Sequence, residues 1–166
     1  MAKYITKYGM TAIREKIAQF SLKREEALAR AGQAAQNDSN AYHDNFEYEE
    51  GMRQQELFSQ QLRNLWKLLE GAMIATEPAD NRRVAVGHFV VVRSSDANED
   101  EGYFLCGDGE GALFENACSA SSPIGQALLG LAKGQSATVA VGNRSFSVEV
   151  LDIRVATPDD VRAAIF

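Results

Sequence analysis

Two stretches of this chain carry the same 3-4-3-4 spacing in mirror order, and that symmetry leaves few folds open. Positions 10, 13, 17, 20, 24, 27, 31 and 34 hold Met10, Ile13, Ile17, Phe20, Arg24, Ala27, Ala31 and Ala34. Positions 48, 51, 55, 58, 62, 65, 69 and 72 hold Tyr48, Gly51, Gln55, Phe58, Leu62, Leu65, Leu69 and Ala72. This is the seam spacing of a coiled coil. Pairing 10 with 72, 13 with 69, 17 with 65 and onward to 34 with 48 always gives the sum 82. Two helices folded back on each other bring those pairs side by side, so the spacing predicts antiparallel helices over 10–35 and 47–73 with the bend near residue 41. Each arm is about 36 Å long at 1.5 Å per residue. Ile13, Ile17 and Phe20 against Leu62, Leu65 and Leu69 make a well-filled base. Ala27, Ala31 and Ala34 against Gln55, Gly51 and Tyr48 bury little apolar area, so the distal part is expected to be marginal.

The helical period stops near Thr76-Glu77-Pro78-Ala79-Asp80-Asn81. Proline disfavours helix at the residue before it, which gives this boundary a mechanism. The expected organisation is a hairpin over 1–76, a linker over 77–82, a β-rich domain over 83–156 and a short C-terminal helix over 157–166. In the β-rich part, 83–92, 103–106, 136–141 and 145–155 read as strands, the last two joined at Gly142-Asn143-Arg144. Ser122-Pro123-Ile124-Gly125-Gln126-Ala127-Leu128-Leu129-Gly130 has a serine cap, a first-turn proline and a terminal glycine, so a short helix is predicted over 123–129. Thr157-Pro158-Asp159-Asp160 has the composition of a second capped helix start. The fold class is therefore α+β: an antiparallel helical hairpin followed by an antiparallel β-sheet domain with one short helix.

Charge is distributed unevenly. The net charge of −6 argues against wholesale binding of nucleic acid, so any such contact must be local. Residues 1–30 hold seven bases (Lys3, Lys7, Arg14, Lys16, Lys23, Arg24, Arg30) and three acids, a balance of +4. Residues 36–50 hold Asp38, Asp44, Glu47, Glu49 and Glu50 with no lysine or arginine, a balance of −5. A basic shaft thus leads to an acidic end. Such acids either keep a loop solvated or offer carboxylate oxygens to Mg²⁺, which often takes only one or two from a protein; a partner would then supply the rest. Cys106 and Cys118 form no CxxC pair and His43 and His88 are isolated, so a zinc site is not expected and the thiols read as reduced and partly buried. No apolar run approaches the roughly 20 residues of a membrane span, and a cytoplasmic protein is expected.

Two motifs carry a resemblance. Asp44-Asn45-Phe46-Glu47-Tyr48 resembles the E-N-A-E-Y run at the coiled-coil end of the GreA/GreB transcription elongation factors, and the family pattern continues through Gln54-Gln55, Leu62 and Ala72 to Ile74. The 122–130 segment, with Lys133-Gly134 after it, resembles the family's S-P-L-G-R-A-L-L-G…G-D. The resemblance covers roughly residues 8 to 155 and implies an FKBP-like C-terminal domain that docks on bacterial RNA polymerase rather than isomerising proline. It also implies a coiled coil inserted through the secondary channel towards the active site. There, acids help hold a catalytic Mg²⁺ jointly with the polymerase, which cleaves its own backtracked transcript near the RNA 3′ end. On that reading Asp44, Asp38 and Glu47 are the candidate acids, with Asp44 the candidate metal ligand. Ser122, Pro123, Ile124 and Gly125 are the candidate polymerase contacts, and Arg24 and Arg30 the RNA-facing part of the shaft.

The sequence departs from the pattern where the chemistry lies. The family's G-D-x-x-E-N corresponds to Asn40-Ala41-Tyr42-His43-Asp44-Asn45 here, so the first acid is Ala41 and the second is shortened to Asp44. Asn37-Asp38 resembles the missing G-D, which makes Asp38 the candidate replacement. A homologue that binds polymerase and regulates without cleavage is therefore the second reading, and a coiled-coil adaptor for another partner the third.

Overall fold

The computed structural model describes residues 3–37, 46–97 and 99–162. Asp38, Ala41 and Asp44 lie outside the described residues, as does the expected bend. Along the chain come β1 (Lys3–Ile5), α1 (Lys7–Asn37), α2 (Phe46–Leu69), β2 (Ala72–Ile74), β3 (His88–Ser94), β4 (Glu101–Cys106), β5 (Ala117–Ser119), α3 (Pro123–Leu128), β6 (Ser136–Val141) and β7 (Arg144–Val155). The chain divides into two compact units, 13–70 and 1–12 with 71–166.

The first unit is the hairpin. The seam positions that fall within it, 13–34 and 51–69, are all buried or half-buried, and Tyr48 alone of the seam is exposed. Its contacts run antiparallel: Gly51 packs on Ala31 and Ala27, the Arg30 guanidinium donates to Gln54 Oε1 at 2.9 Å, and Phe20 stacks on Phe58 with ring centroids 6.0 Å apart. The Ala31–Gly51 pair keeps the expected sum of 82. The distal half is tighter than its side-chain volumes suggested. A Cβ built on Gly51 would lie 2.9 Å from Ala31 Cβ and 3.0 Å from Ala27 O. Small residues let the two backbones approach, so Ala27, Ala31 and Ala34 are buried at 0%, 2% and 6% exposure although each covers little area. At the other end the seam stops early. Gly71 takes φ +66°, a conformation that terminates helices, and Ala72 enters β2, paired with Lys3.

In the second unit, β5-β4-β3-β7-β6 form one sheet, antiparallel except for the β4–β5 pair. Its core is Val90, Val92, Leu105, Leu128, Val139, Val148, Val150 and neighbours, with Tyr103, Ile124 and Phe146 packed at the margin. β1 and β2 pair in parallel, Lys3 with Ala72 through Ile5 with Ile74. Residues 3–12 and 71–76 thus pack with the β-rich unit, where the sequence reading grouped 1–76 with the hairpin. A buried acid secures this junction. Glu110, fully buried, accepts from Thr6 N at 2.6 Å, Thr6 Oγ1 at 3.0 Å and Gly107 N at 2.8 Å. Thr6 Oγ1 in turn accepts from Gly9 N at 3.0 Å, capping the first turn of α1.

Three expectations for this unit are corrected. The strand expected from residue 83 begins at His88, because Val84 N donates to Leu131 O and Val84 O accepts from Gly130 N, and Gly87 then turns the chain at φ +100°. The sheet is not wholly antiparallel: the excursion 107–116 returns β5 alongside β4 as a parallel pair. The expected C-terminal helix is only a 3₁₀ turn at Pro158–Asp160 within the described residues. Asp160 binds the Arg154 guanidinium and accepts from Thr157 N and Oγ1 at 2.8 and 2.7 Å, which closes a tight turn. Arg162 O then accepts from Glu115 N at 2.9 Å. His88, buried, receives Ala85 N on Nδ1 at 3.0 Å and lies 3.1 Å from Asp80 O through Nε2, so both ring nitrogens are satisfied as a neutral imidazole.

Candidate functional site

Of the expected acids, Glu47 is the one within the described residues, exposed in the first turn of α2 beside Glu49. Acids suit this place because the first turn carries the positive end of the helix dipole. Glu50 behaves differently. It accepts from Arg53 Nε and Nη2 at 2.8 Å and from Gln54 Nε2 at 2.7 Å, and the Arg53 guanidinium holds its carboxyl down to about 2. Glu50 is thus committed to its own helix. Among the described residues no three His, Cys, Asp or Glu side chains converge. The exposed carboxylate of Glu47 fits Mg²⁺ by donor type and fits it only as part of a shared shell.

Arg24 and Arg30 lie on α1 in different settings. Arg24 occupies a seam position, half-buried, and its Nε is buried without a hydrogen-bond partner among the described residues. Its stem packs rather than projecting. Arg30 is exposed and borders a cavity of about 300 Å³ with Gln33, Phe46, Glu47, Glu50 and Gln54. Phe46, the first residue of α2, is 74% exposed.

The 122–125 motif is mainly architectural. Ser122 Oγ accepts from Gly125 N at 3.1 Å and donates to Ser119 O at 2.7 Å, capping α3. Gly125 is buried, and a Cβ there would lie 2.0 Å from Ser119 O, so only glycine fits. Ile124 is half-buried against the core and borders a depression of about 230 Å³ with Tyr103, Phe146, Glu101 and Asp96. Pro123 is exposed. Leu128 is fully buried and Leu129 is 40% exposed. Both cysteines are free and buried; burial pushes the Cys106 thiol up to about 12. Sequence reasoning missed Glu110 and the exposure of Phe46. The Thr6-Lys7-Tyr8-Gly9 start, a threonine three residues before the amide it caps, was a legible signal for the beginning of α1 at Lys7.

A two-helix coiled coil with an acidic first turn, followed along the chain by a five-stranded sheet and a capped short helix, defines a class of proteins that pair a helical unit with a β-rich one. The family model "Transcription elongation factor, GreA/GreB, C-term" matches residues 79–155. Transcription elongation factor GreA 1 of Lactiplantibacillus plantarum is 32% identical over 153 residues, covering 92% of this chain and 96% of that protein. GreA of Roseiflexus sp. is 28% identical over 152 residues, covering 91% and 96%. The solved structure of GreA factor homolog 1 of Thermus thermophilus is 17% identical, with a TM-score of 0.43, covering 93% of this chain and 99% of that one. The chain belongs to the GreA/GreB family of transcription elongation factors. No described helix is long and apolar enough to cross a membrane.

Proposed function

We propose that this factor binds RNA polymerase through the secondary channel and stimulates cleavage of backtracked RNA. The observation that carries the reading is the acidic end of the hairpin, in a chain that aligns over 92% of its length with a GreA elongation factor. Asp44 is the principal donor, with Asp38 or Glu47 in support. Their carboxylates would hold an Mg²⁺ ion jointly with the polymerase, and the ion would supply charge neutralisation and water activation. The chain's own residues present charge and exclude alternatives. The small-residue packing at Gly51 holds α2 close against α1, and the first turn of α2 favours the acids electrostatically. Docking uses the β-rich unit, with exposed Pro123 and the margin at Ile124 as contacts and Ser122 and Gly125 holding them in shape. This role places the protein in the cytoplasm.

One observation favours a second reading: Ala41 stands where the family pattern has its first acid. A factor that occupies the channel with a broken acid pair would regulate without cleaving. Adding the whole protein to a stalled, backtracked elongation complex decides between them. Shortened RNA with a released 3′ fragment supports cleavage; stable binding with unshortened RNA supports the second reading, and no binding removes both.

A further inference from the structure

The five-stranded sheet has two edges, and they end differently. β5 is three residues long, and the chain leading into it is already engaged: Glu115 N donates to Arg162 O at 2.9 Å. β6 is Ser136-Ala137-Thr138-Val139-Ala140-Val141, with no charged residue and no proline. Its register with β7 runs unbroken from Ser136–Glu149 to Val141–Arg144, with no bulge along it. Sheet edges are ordinarily blunted by charge, proline, a bulge or shortness, because an open edge pairs with another chain. β6 has none of these devices.

β7 shows which backbone groups β6 leaves open. Ser147 N donates to Ser95 Oγ at 3.0 Å, and Ser147 O accepts from Ser95 N at 2.9 Å, so the Ser147 backbone is turned to the β3 side of the sheet. Thr138, opposite it on β6, therefore sits in a non-hydrogen-bonded pair. The alternation of an antiparallel ladder then points the N–H and C=O groups of Ser136, Thr138 and Ala140 at the free edge. All three residues are exposed, and among the described residues no other segment's backbone bonds to them. These open groups are self-complementary. With Thr138 opposite its own copy, Ser136 of each strand meets Ala140 of the other, and every such pair exchanges two N–H···O bonds. Val139 then stands opposite Ala137 of the copy, which extends the apolar inner face. No charged side chain of one β6 faces one of the other, whereas an acidic or basic strand would find no counter-charge there. We propose that β6 pairs antiparallel with β6 of a second copy of this chain, joining two sheets into one across a two-fold axis at Thr138. A strand of this length spans about 20 Å at 3.4 Å per residue. That is less interface than the roughly 1,200 Å² of a standard stable complex, so the dimer is weak and concentration-dependent. The proposal stands apart from the polymerase reading and uses none of its residues.

Sedimentation equilibrium of the whole protein over roughly 10 µM to 1 mM tests it, the range suited to a small interface. Wild type is expected to pass reversibly from monomer to dimer. Hydrogen exchange at the Ser136, Thr138 and Ala140 amides is expected to slow as concentration rises, while the Ala137 and Val139 amides keep their rates. Thr138→Lys sets two like charges opposite each other and is expected to raise the dissociation constant roughly fivefold, as is Thr138→Glu. Mixing these two variants is expected to restore the dimer, because opposite charges then meet. Thr138→Pro removes an outward-facing donor, which an edge strand tolerates, so it is expected to weaken the dimer and keep its circular dichroism. Wild type that stays monomeric throughout the range overturns the proposal. A dimer equally stable in all three variants overturns it in favour of another surface. Lysine and glutamate variants that stay monomeric when mixed overturn the pairing centred on Thr138.

Discussion

Replacing Glu110 by alanine removes the acceptor from three donors at once. Thr6 N and Gly107 N lie 2.6 and 2.8 Å from its oxygens and Thr6 Oγ1 lies 3.0 Å away, all in a fully buried setting. The hydroxyl can turn elsewhere, but the two backbone donors cannot, and each buried orphan costs about 1–3 kcal/mol. Against this stands the relief of no longer burying a carboxyl, whose pKa burial pushes up. The net loss should be about 2–4 kcal/mol. Native-state hydrogen exchange reads it locally, at the amides of Thr6–Gly9 and Gly107, as roughly 30- to 1,000-fold faster opening. Glu110→Gln keeps one accepting oxygen and should lose about half as much. The pH dependence has a defined sign. Burial raises the folded-state pKa, so the folded form binds the proton more tightly, and stability falls as pH rises from the ordinary glutamate range to the raised value. Glu110→Gln should abolish that slope. Gly9 supplies a cross-check, since a Cβ there would lie 1.8 Å from Glu110 Oε1. Gly9→Ala should therefore cost less in the Glu110→Ala background than alone. Protection unchanged within threefold in Glu110→Ala would refute the account of this junction.

Three further outcomes follow from other sites. Gly51→Val forces a branched side chain into a gap where even a Cβ meets Ala31 at 2.9 Å, so the hairpin's thermal unfolding by circular dichroism should shift down by the equivalent of about 2–3 kcal/mol. Asp160 is held well below the usual carboxylate range by Arg154, so the turn it closes is stabilised above the ordinary aspartate pKa and loses that support as pH falls towards the depressed value. Asp160→Asn should remove this acid-side loss, measured as exchange of the Thr157–Asp160 amides against pH. Cys106 and Cys118, buried and with thiol pKa values raised, should resist a thiol-specific reagent in the native protein and react at once in denaturant.

The hairpin was legible because a 3-4 spacing repeated over eight positions in each arm fixes both the helix faces and their register, and Ala31 against Gly51 keeps that register. The short helix was legible from its own chemistry: Ser122 caps it and Pro123 opens it. What escaped the sequence lacks a period. β1, β2 and β5 are three residues each, too short to alternate, and two of their pairings are parallel contacts between distant segments. Glu110 escaped because a carboxylate is almost never fully buried unless tertiary structure brings it donors, here from residue 6. The tightness of the distal hairpin escaped because area bookkeeping undervalues residues whose smallness draws two backbones together. Phe46 was read within a motif, and its exposure depends on what the fold leaves uncovered. The candidate acids Asp38 and Asp44 stand on the sequence alone, with Glu47 placed by the fold on the first turn of α2.

The central claim is that this chain lends carboxylate charge to polymerase at the hairpin end, and Asp44→Asn tests it most directly. The amide preserves shape but removes the charge that a hard cation requires. Wild type and Asp44→Asn are added to the same backtracked elongation complex, with transcript length and polymerase occupancy recorded together, and Asp38→Asn runs as companion. The account predicts shortened RNA with wild type, loss of that shortening with Asp44→Asn, and nearly equal occupancy for the two. Undiminished cleavage by both variants would contradict it, because the acids would then not be the metal's ligands.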